Sequence, residues 1–179
     1  MHHPRLRPIA RHLASWLLAA SAAAQAQVGL ARLQDGPLEL AVVYPTAAVA
    51  QPLTLGPITL QVATDAPPLP GPHRLVVLSH GTGGSWSSDH ALAATLARAG
   101  FVVAQPLHRG DNFRDVSRAG PDAWTTRPAE VSQVIDLLAA HPQWQGLLQL
   151  DKVGVHGMSA GGGTALVMAG AQWRILDLV

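Results

Sequence analysis

The residues best suited to chemistry lie in one short segment, Gly157-Met158-Ser159-Ala160-Gly161. It has the G-x-S-x-G pattern, with an apolar run before the serine and a run of small residues after it. A serine between a strand and a helix occupies a sharp, strained turn that exposes its hydroxyl, and glycines at both flanks let the two backbones approach closely. The first N–H groups of such a helix point at an anion formed there. The segment therefore predicts that Ser159 is a nucleophile.

An upstream glycine-rich turn, residues 80–85, follows a short apolar run at residues 75–79. A continuous apolar run of this length is typical of a strand buried on both faces. Residues 87–99 are compatible with a helix that ends at Gly100, and residues 101–104 form the next apolar run. The order of strand, helix and strand predicts a β-α-β unit and hence a partly parallel sheet.

The remaining predicted elements flank these two turns. Residues 38–44 and 58–63 are expected to be early strands at an antiparallel edge of the sheet. A proline-rich loop at residues 65–72 separates them from the first parallel strand. Residues 152–156 form the third parallel strand, which leads into the serine turn. A helix is predicted at residues 127–140 because four of its apolar residues share one face: Val131, Val134, Ile135 and Leu138.

Composition restricts the class of protein. The 179 residues suit one domain, and 48% hydrophobic with 13% charged residues are enough to bury a core. A net charge of +1 gives no reason to expect nucleic-acid binding. The absence of cysteine excludes disulfides and thiolate metal sites, and no spacing of His, Asp or Glu indicates a metal ion.

Residues 1–26 have the features of a signal peptide. Residues 1–12 carry arginines and no acid, residues 13–24 are apolar, and Ala24-Gln25-Ala26 fits the small-x-small cleavage rule. The apolar run is shorter than the roughly 20 residues of a membrane span, so no transmembrane segment is predicted. We expect cleavage after Ala26 and export, either periplasmic or secreted, with residues 27–179 as the mature chain. An Ala-rich amphipathic helix of the mature protein is the alternative.

Taken together, these segments resemble the α/β-hydrolase superfamily. More narrowly, the chain is similar to the secreted dienelactone-hydrolase-like and platelet-activating-factor-acetylhydrolase-like esterases. The matching stretches are residues 75–112, 127–138 and 153–166, with Tyr44-Pro45-Thr46 after an early strand. Each stretch alone is modestly specific, but their order along the chain is much more so.

The resemblance implies both a fold and a site. The fold is α/β, the N-terminal part of an α/β-hydrolase, with a mostly parallel sheet flanked by helices and antiparallel N-terminal edge strands. In this family the backbone of a His-Gly-x turn lines the oxyanion hole. This implies supporting roles for His80 and Gly81, and hydrogen bonds from the Thr82 and Ala160 amides to the oxyanion. The implied reaction is hydrolysis of a small or lipid-like carboxylic ester through an acyl-serine, with no cofactor and no metal.

A serine nucleophile also needs a base and an orienting acid. In the family these follow the serine, first the acid and then the histidine. Only 179 − 159 = 20 residues follow Ser159 here, and they contain Asp177 but no histidine. We therefore expect the acid and the histidine to lie beyond residue 179, so that residues 27–179 form a partial domain with an unpaired strand and poor stability. A catalytically inactive hydrolase fragment is the main alternative.

Two histidines near the turns are expected to be structural: His80 shapes its turn, and His156 packs beneath the serine. His108, Asp111 and Asn112 follow a predicted strand on the side of the sheet where the site lies. We expect these three to be solvated loop residues, with contact to substrate as the alternative.

Dinucleotide binding is a further alternative. Gly157, Gly161 and Gly163 resemble a glycine-rich phosphate turn, and Asp177 lies at a suitable distance to meet a ribose hydroxyl. Against it, such a turn opens the first β-α-β unit of its domain, whereas this one follows two predicted strands and two predicted helices. A P-loop is excluded because the upstream turn lacks Gly-Lys-Ser/Thr.

Overall fold

A computed structural model describes residues 26–172 of the chain. These residues form seven strands and three helices. In chain order they are β1 Gln27–Asp35, β2 Leu38–Thr46, β3 Gln51–Leu55, β4 Ile58–Thr64, β5 His73–Ser79, α1 His90–Arg98, β6 Val102–Leu107, α2 Pro121–Ala140, β7 Leu148–Gly157 and α3 Ala160–Met168.

The strands form one mixed sheet in the order β3-β4-β1-β2-β6-β5-β7. β5 lies between β6 and β7 and is parallel to both, as the predicted β-α-β unit requires. The four N-terminal strands make up the other side of the sheet. Their pairings are antiparallel except for a short parallel contact between β1 and β4, and β2 joins them to β6 in antiparallel register. The expected α/β fold with antiparallel N-terminal strands is confirmed, and the sheet as a whole is mixed, since the parallel part consists of β5, β6 and β7 and the short β1–β4 contact.

Alternation along the strands divides the core between the two faces of the sheet. In β2, Leu40 and Val42 point to one face, whereas Ala41 and Val43 point to the other. The first face packs against α2 and α3, with Trp144 fully buried against Tyr44 at a ring separation of 4.9 Å. The second face packs against α1. Both faces of the central strands are therefore covered, which explains their continuous apolar sequences.

The structure extends several predicted elements and adds two. β1 and β3 were not predicted, and α2 begins at Pro121, six residues before the predicted start. Proline favours the first turn of a helix because its missing N–H has no helical acceptor there. α1 begins at His90, later than predicted, and Gly100 ends it with φ of 93°. Among the described residues, no helix combines the length and the apolar character needed to cross a membrane. The predicted signal peptide lies outside the described residues, apart from Ala26.

Candidate active site

Ser159 occupies a sharp turn between the end of β7 and the start of α3. Its φ of 56° and ψ of −120° lie outside the regions that L-residues ordinarily adopt. The residue is exposed, and although it is the N-cap of α3 its side chain makes no capping hydrogen bond. The turn therefore holds the hydroxyl outward and leaves it free of the role that an N-cap serine usually has.

The two flanking glycines are required by close backbone packing. A Cβ at Gly161 would collide with the carbonyl oxygen of Ser79, at the end of the neighbouring strand. A Cβ at Gly157 would collide with the carbonyl oxygen of Gly161. The Gly161 amide also donates to the Met158 carbonyl oxygen at 2.9 Å, which closes the turn. Any side chain at position 157 or 161 would force α3 away from β5 and β7.

The upstream glycine turn lies directly beside the serine. A Cβ built on Gly81 would be 3.5 Å from the Ser159 Cβ. Thr82, the next residue, is exposed, and the hydrogen bonds found within residues 26–172 include none from its amide. Ala160 is the first residue of α3, where a backbone N–H has no helical acceptor. The structure thus brings Ser159 close to the turn that carries Thr82, and it leaves two N–H groups available to an oxyanion.

A buried arginine holds the upstream turn. Arg127 of α2 donates from Nη1 to the His80 carbonyl oxygen and from Nη2 to the Gly81 carbonyl oxygen, the latter at 3.3 Å. Its Nε and Nη2 also bind one carboxylate oxygen of Asp111, at 3.0 and 2.7 Å. The other Asp111 oxygen accepts the Gly83 amide at 3.1 Å. Arg127 and Asp111 together fix the backbone on both sides of Thr82.

His80 packs inside this turn as a neutral side chain. Its Nε2 accepts the His108 amide at 3.2 Å, so the ring proton lies on Nδ1, which donates to the Gly81 carbonyl oxygen at 2.7 Å. Burial lowers the pKa of His80 to about 4. With both ring nitrogens occupied and no affinity for a proton at neutral pH, His80 supports the turn and is unsuited to act as a general base.

A second buried chain runs from Ser79 through His108 to Glu130. Ser79 Oγ lies 2.8 Å from His108 Nε2, and His108 Nδ1 lies 2.7 Å from a Glu130 carboxylate oxygen. This is the order of a serine, histidine and acid triad. However, Ser79, His108 and Glu130 are at most 1% exposed, so no substrate reaches this serine. The chain is a structural network that joins β5, the loop after β6, and α2.

The charge state of this network follows from burial and hydrogen bonding. Burial lowers the pKa of His108, which therefore stays neutral and donates through Nδ1. Burial raises the pKa of Glu130, but hydrogen bonds from His108 and Arg109 outweigh that and lower it overall. Arg109 reaches Glu130 with its Nε at 2.8 Å. The network thus places one carboxylate between a neutral imidazole and a guanidinium.

Three sequence predictions are wrong at this point. His108, Asp111 and Asn112 are not solvated loop residues: they are 0%, 1% and 6% exposed. Asn112 donates to the His108 carbonyl oxygen at 2.7 Å, which fixes the loop inward. The physical reason is that each side chain has a hydrogen-bond partner inside the protein: Asp111 pairs with Arg127, and His108 with Glu130. A paired polar side chain tolerates burial.

The prediction for His156 is also wrong. Its side chain is exposed and does not pack beneath Ser159, because β7 pairs only with β5 among residues 26–172 and is half-exposed along its length. No hydrogen bond joins a histidine to Ser159 in that part of the chain. The described residues therefore place an exposed serine beside a glycine turn and a helix N-terminus, with no histidine in contact with that serine.

Arg127 and Glu130 were not predicted as site residues. The sequence pattern predicts a helix at residues 127–140 whose apolar face begins at Val131. In fact Arg127, Glu130, Val131, Val134 and Leu138 are all buried on one face of α2. Their helical spacing continues the apolar stripe by one turn toward the N-terminus. Two charged residues on this otherwise apolar face, Arg127 and Glu130, indicate that each has a partner inside the protein.

A groove with a volume of about 670 Å³ lies beside the upstream turn. One wall is the turn between β3 and β4, and the other is the segment from Gly83 to Ser88. Exposed apolar side chains also surround the turn: Met158, Phe113 and Val116 are 55%, 63% and 58% exposed. The surface around the upstream turn is therefore partly apolar.

The geometry of the described residues supports neither a metal site nor a dinucleotide-binding turn. Within residues 26–172, no group of three or more His, Asp or Glu side chains is arranged to hold a metal ion. The glycine turn at residues 157–163 follows β7, whereas β5, α1 and β6 form the first β-α-β unit. A dinucleotide turn would open that first unit.

No protein-family model and no curated relative matches this chain. Among solved structures, it is similar to a ferulic acid esterase from Streptomyces cinnamoneus, with a TM-score of 0.66 and 23% identity over 84% of this chain and 57% of that one. It is also similar to a dienelactone hydrolase from Anabaena variabilis, with a TM-score of 0.51 and 24% identity over 81% of this chain and 57% of that one. The chain thus spans just over half the length of these proteins, and the similarity establishes a shared fold.

Proposed function

We propose that this protein, which has the α/β-hydrolase fold, hydrolyses carboxylic esters through an acyl-enzyme on Ser159. The observation that carries the proposal is the strained, exposed Ser159 held beside the Gly81-Thr82 turn at the N-terminus of α3. Strain at a single exposed residue is retained where function needs it. The names of the two similar structures, an esterase and a lactone hydrolase, agree with an ester substrate.

In the proposed reaction the Ser159 hydroxyl oxygen attacks the ester carbonyl carbon and loses its proton to a base. The carbonyl oxygen becomes negatively charged and accepts hydrogen bonds from the Thr82 and Ala160 amides. The intermediate then expels the alcohol, which takes up a proton, and water hydrolyses the acyl-serine. Preorganised N–H donors of this kind contribute roughly 10²–10³-fold to the rate of acyl transfer. In this proposal the contacts of Arg127 and Asp111 keep the backbone around Thr82 rigid.

The site favours a substrate with an apolar group. Met158, Phe113 and Val116 present exposed apolar surface around the upstream turn. A carboxylic ester of the dienelactone type or a short acyl ester of a lipid-like alcohol has this character, and we propose that class. Export of the protein would give it access to such substrates outside the cytoplasm.

The second candidate is a catalytically inactive relative that binds an ester without cleaving it. It is favoured by one observation, that no histidine among residues 26–172 contacts Ser159. Incubation with p-nitrophenyl acetate followed by peptide mass spectrometry separates the two. Acetyl transfer to Ser159 supports the hydrolase, with Ser159→Ala as the control. Unmodified Ser159 at millimolar ester, with no more p-nitrophenol released than in the Ser159→Ala control, supports the inactive relative.

A further inference from the structure

His108 contacts the junction between β5 and the upstream turn from a buried position. Its ring Nε2 lies 2.8 Å from Ser79 Oγ, and its backbone amide donates to His80 Nε2 at 3.2 Å. The two imidazole rings pack with their centroids 4.8 Å apart. Ser79 is the last residue of β5 and His80 opens the upstream turn, so one residue holds both sides of this junction.

Ser79 is also the point where the upstream turn meets the Ser159 turn. Its carbonyl oxygen accepts the Met158 amide at 3.4 Å, and a Cβ on Gly161 would collide with the same oxygen. The start of α3 therefore rests directly on Ser79. A displacement of Ser79 changes the position of Ser159 relative to the upstream turn, because no space separates the two segments at Gly161.

Glu130 determines how the His108 ring is used. One of its carboxylate oxygens lies 2.7 Å from His108 Nδ1, and the other accepts hydrogen bonds from Arg109 Nε at 2.8 Å and from the Arg109 amide at 3.3 Å. A carboxylate only accepts hydrogen bonds, so the proton of the neutral imidazole lies on Nδ1. Nε2 is then an acceptor, and the Ser79 hydroxyl donates to it.

This chain of three polar side chains is shielded from solvent, because Ser79, His108 and Glu130 are each at most 1% exposed. Burying polar side chains costs desolvation free energy that apolar side chains of similar size would not. A fully paired polar network holds its members in one specific geometry, which an apolar cluster does less strictly. The network therefore favours a single position of Ser79 over a larger gain in stability.

We propose that His108 and Glu130 are positioning residues, which through Ser79 hold the Ser159 hydroxyl at a fixed distance from the Thr82 amide. Both side chains are buried, so neither touches an ester in the site. The importance of this distance for acyl transfer rests on the proposed function, whereas the fixed spacing of the two turns does not.

Ser79→Ala tests the proposal with the smallest change, because it removes one hydroxyl group and leaves the strand backbone intact. Labelling of Ser159 by a fluorophosphonate, with imidazole added as an external base, should become about tenfold slower than in the parent protein. A small misplacement of a reacting group has an effect of this size or larger.

Tyr44→Phe is the matched control. It also removes one hydroxyl group from a fully buried side chain, which donates to the Ala66 carbonyl oxygen at 2.6 Å. Tyr44 lies on β2, however, which β6 and β5 separate from β7. Both variants should lower the midpoint of urea denaturation, but only Ser79→Ala should slow the labelling of Ser159. Equal slowing in the two variants overturns the proposal.

Glu130 provides a rescue series, with each rate measured on the folded fraction. Glu130→Gln keeps an oxygen that accepts the His108 Nδ1 proton, so it should retain the parental labelling rate to within about threefold. Glu130→Met has no acceptor and should be at least about tenfold slower. Equal labelling rates in these two variants overturn the role of Glu130.

Backbone NMR separates this proposal from the proposed function. The Thr82 and Ala160 amide resonances should shift in Ser79→Ala and stay in place in Tyr44→Phe, whether or not Ser159 reacts. Labelling that is no slower in Ser79→Ala overturns the positioning role and leaves the proposed function standing. Absence of labelling in every protein, together with the expected shifts, overturns the proposed function and leaves the fixed spacing of the turns supported.

Discussion

The guanidinium of Arg127 binds one carboxylate oxygen of Asp111 through two donors, at 2.7 and 3.0 Å, with both side chains at most 2% exposed. Neither charge is solvated, so each depends on the other. The same guanidinium reaches two carbonyl oxygens of the turn that carries Thr82. The backbone geometry proposed to stabilise an oxyanion therefore depends on a buried ion pair contributed by a helix on one face of the sheet.

The Arg127→Met substitution should lower the free energy of unfolding by about 3–5 kcal/mol, because it leaves the Asp111 carboxylate buried and unpaired. Urea denaturation measures this. Arg114→Met is the matched control, since Arg114 and Glu39 form an exposed ion pair at 51% and 39% exposure, for which about 0–1 kcal/mol is expected. Equal losses of unfolding free energy in the two variants would show that the buried ion pair contributes no more to stability than the exposed one.

The Gly161→Ala substitution should destabilise the protein by about 3 kcal/mol or more, because its Cβ meets backbone that has no room to move. Gly154→Ala in β7 is the control. A Cβ there would lie 3.4 Å from Val76 Cγ2, an ordinary contact, so stability should be unchanged or higher by up to about 1 kcal/mol. Thermal denaturation of both variants is the measurement. A Gly161→Ala variant as stable as Gly154→Ala would contradict the described packing of α3 on β5.

The strained backbone conformation of Ser159 is expected to lower the free energy of unfolding. Ser159→Gly should raise the free energy of unfolding by about 1 kcal/mol, because glycine adopts a positive φ without strain. Ser159→Ala should change it by less than about 0.5 kcal/mol, since no capping hydrogen bond is lost. Denaturant titrations of the three proteins make the comparison. A loss of stability in Ser159→Gly would mean that the turn is unstrained.

Stability should fall as the pH drops below about 6.5. Burial lowers the pKa of His80 to about 4, and it also lowers that of His108. Between about pH 6.5 and pH 4 the unfolded chain binds a proton at His80 that the folded chain does not, and the lowered pKa of His108 acts in the same direction. The free energy of unfolding therefore decreases with falling pH, by up to about 1.4 kcal/mol per pH unit for each histidine. Above pH 7 this contribution is fully present.

Urea denaturation between pH 7.5 and pH 4.5 measures the slope. Replacing the exposed His156 with Gln should leave the slope unchanged, which makes that variant the control. A free energy of unfolding that stays constant from pH 7 to pH 5 would contradict this explanation, because it would mean that neither buried histidine resists protonation.

β5 and β6 could be predicted because they are buried on both faces and have largely apolar sequences. The Ser159 turn could be located because its glycines are fixed by backbone contacts that allow no other residue. β1 was missed because Gly29 weakens its strand pattern. The structure shows why glycine is there: a Cβ would collide with the ring of Tyr44 on the paired strand. That requirement depends on a residue distant in sequence.

The polar network could not be predicted from periodicity alone. Asp111 has the appearance of a loop residue until Arg127, on a later helix, is placed against it. Glu130 and His108 depend on each other in the same way. Each side chain is buried only because its partner is, and the sequence pattern shows the two members separately.

The signal peptide at residues 1–26 and the export that follows from it stay predictions.

Labelling by a fluorophosphonate probe tests the central claim most directly. The described residues place no histidine against Ser159, so its exposed hydroxyl depends on a base that can be supplied from solution. We therefore predict labelling that maps to Ser159 by mass spectrometry, is lost in Ser159→Ala, and becomes faster with added imidazole as an external base. Absence of labelling even with imidazole, or equal labelling of Ser159→Ala, would contradict the assignment of Ser159 as the nucleophile.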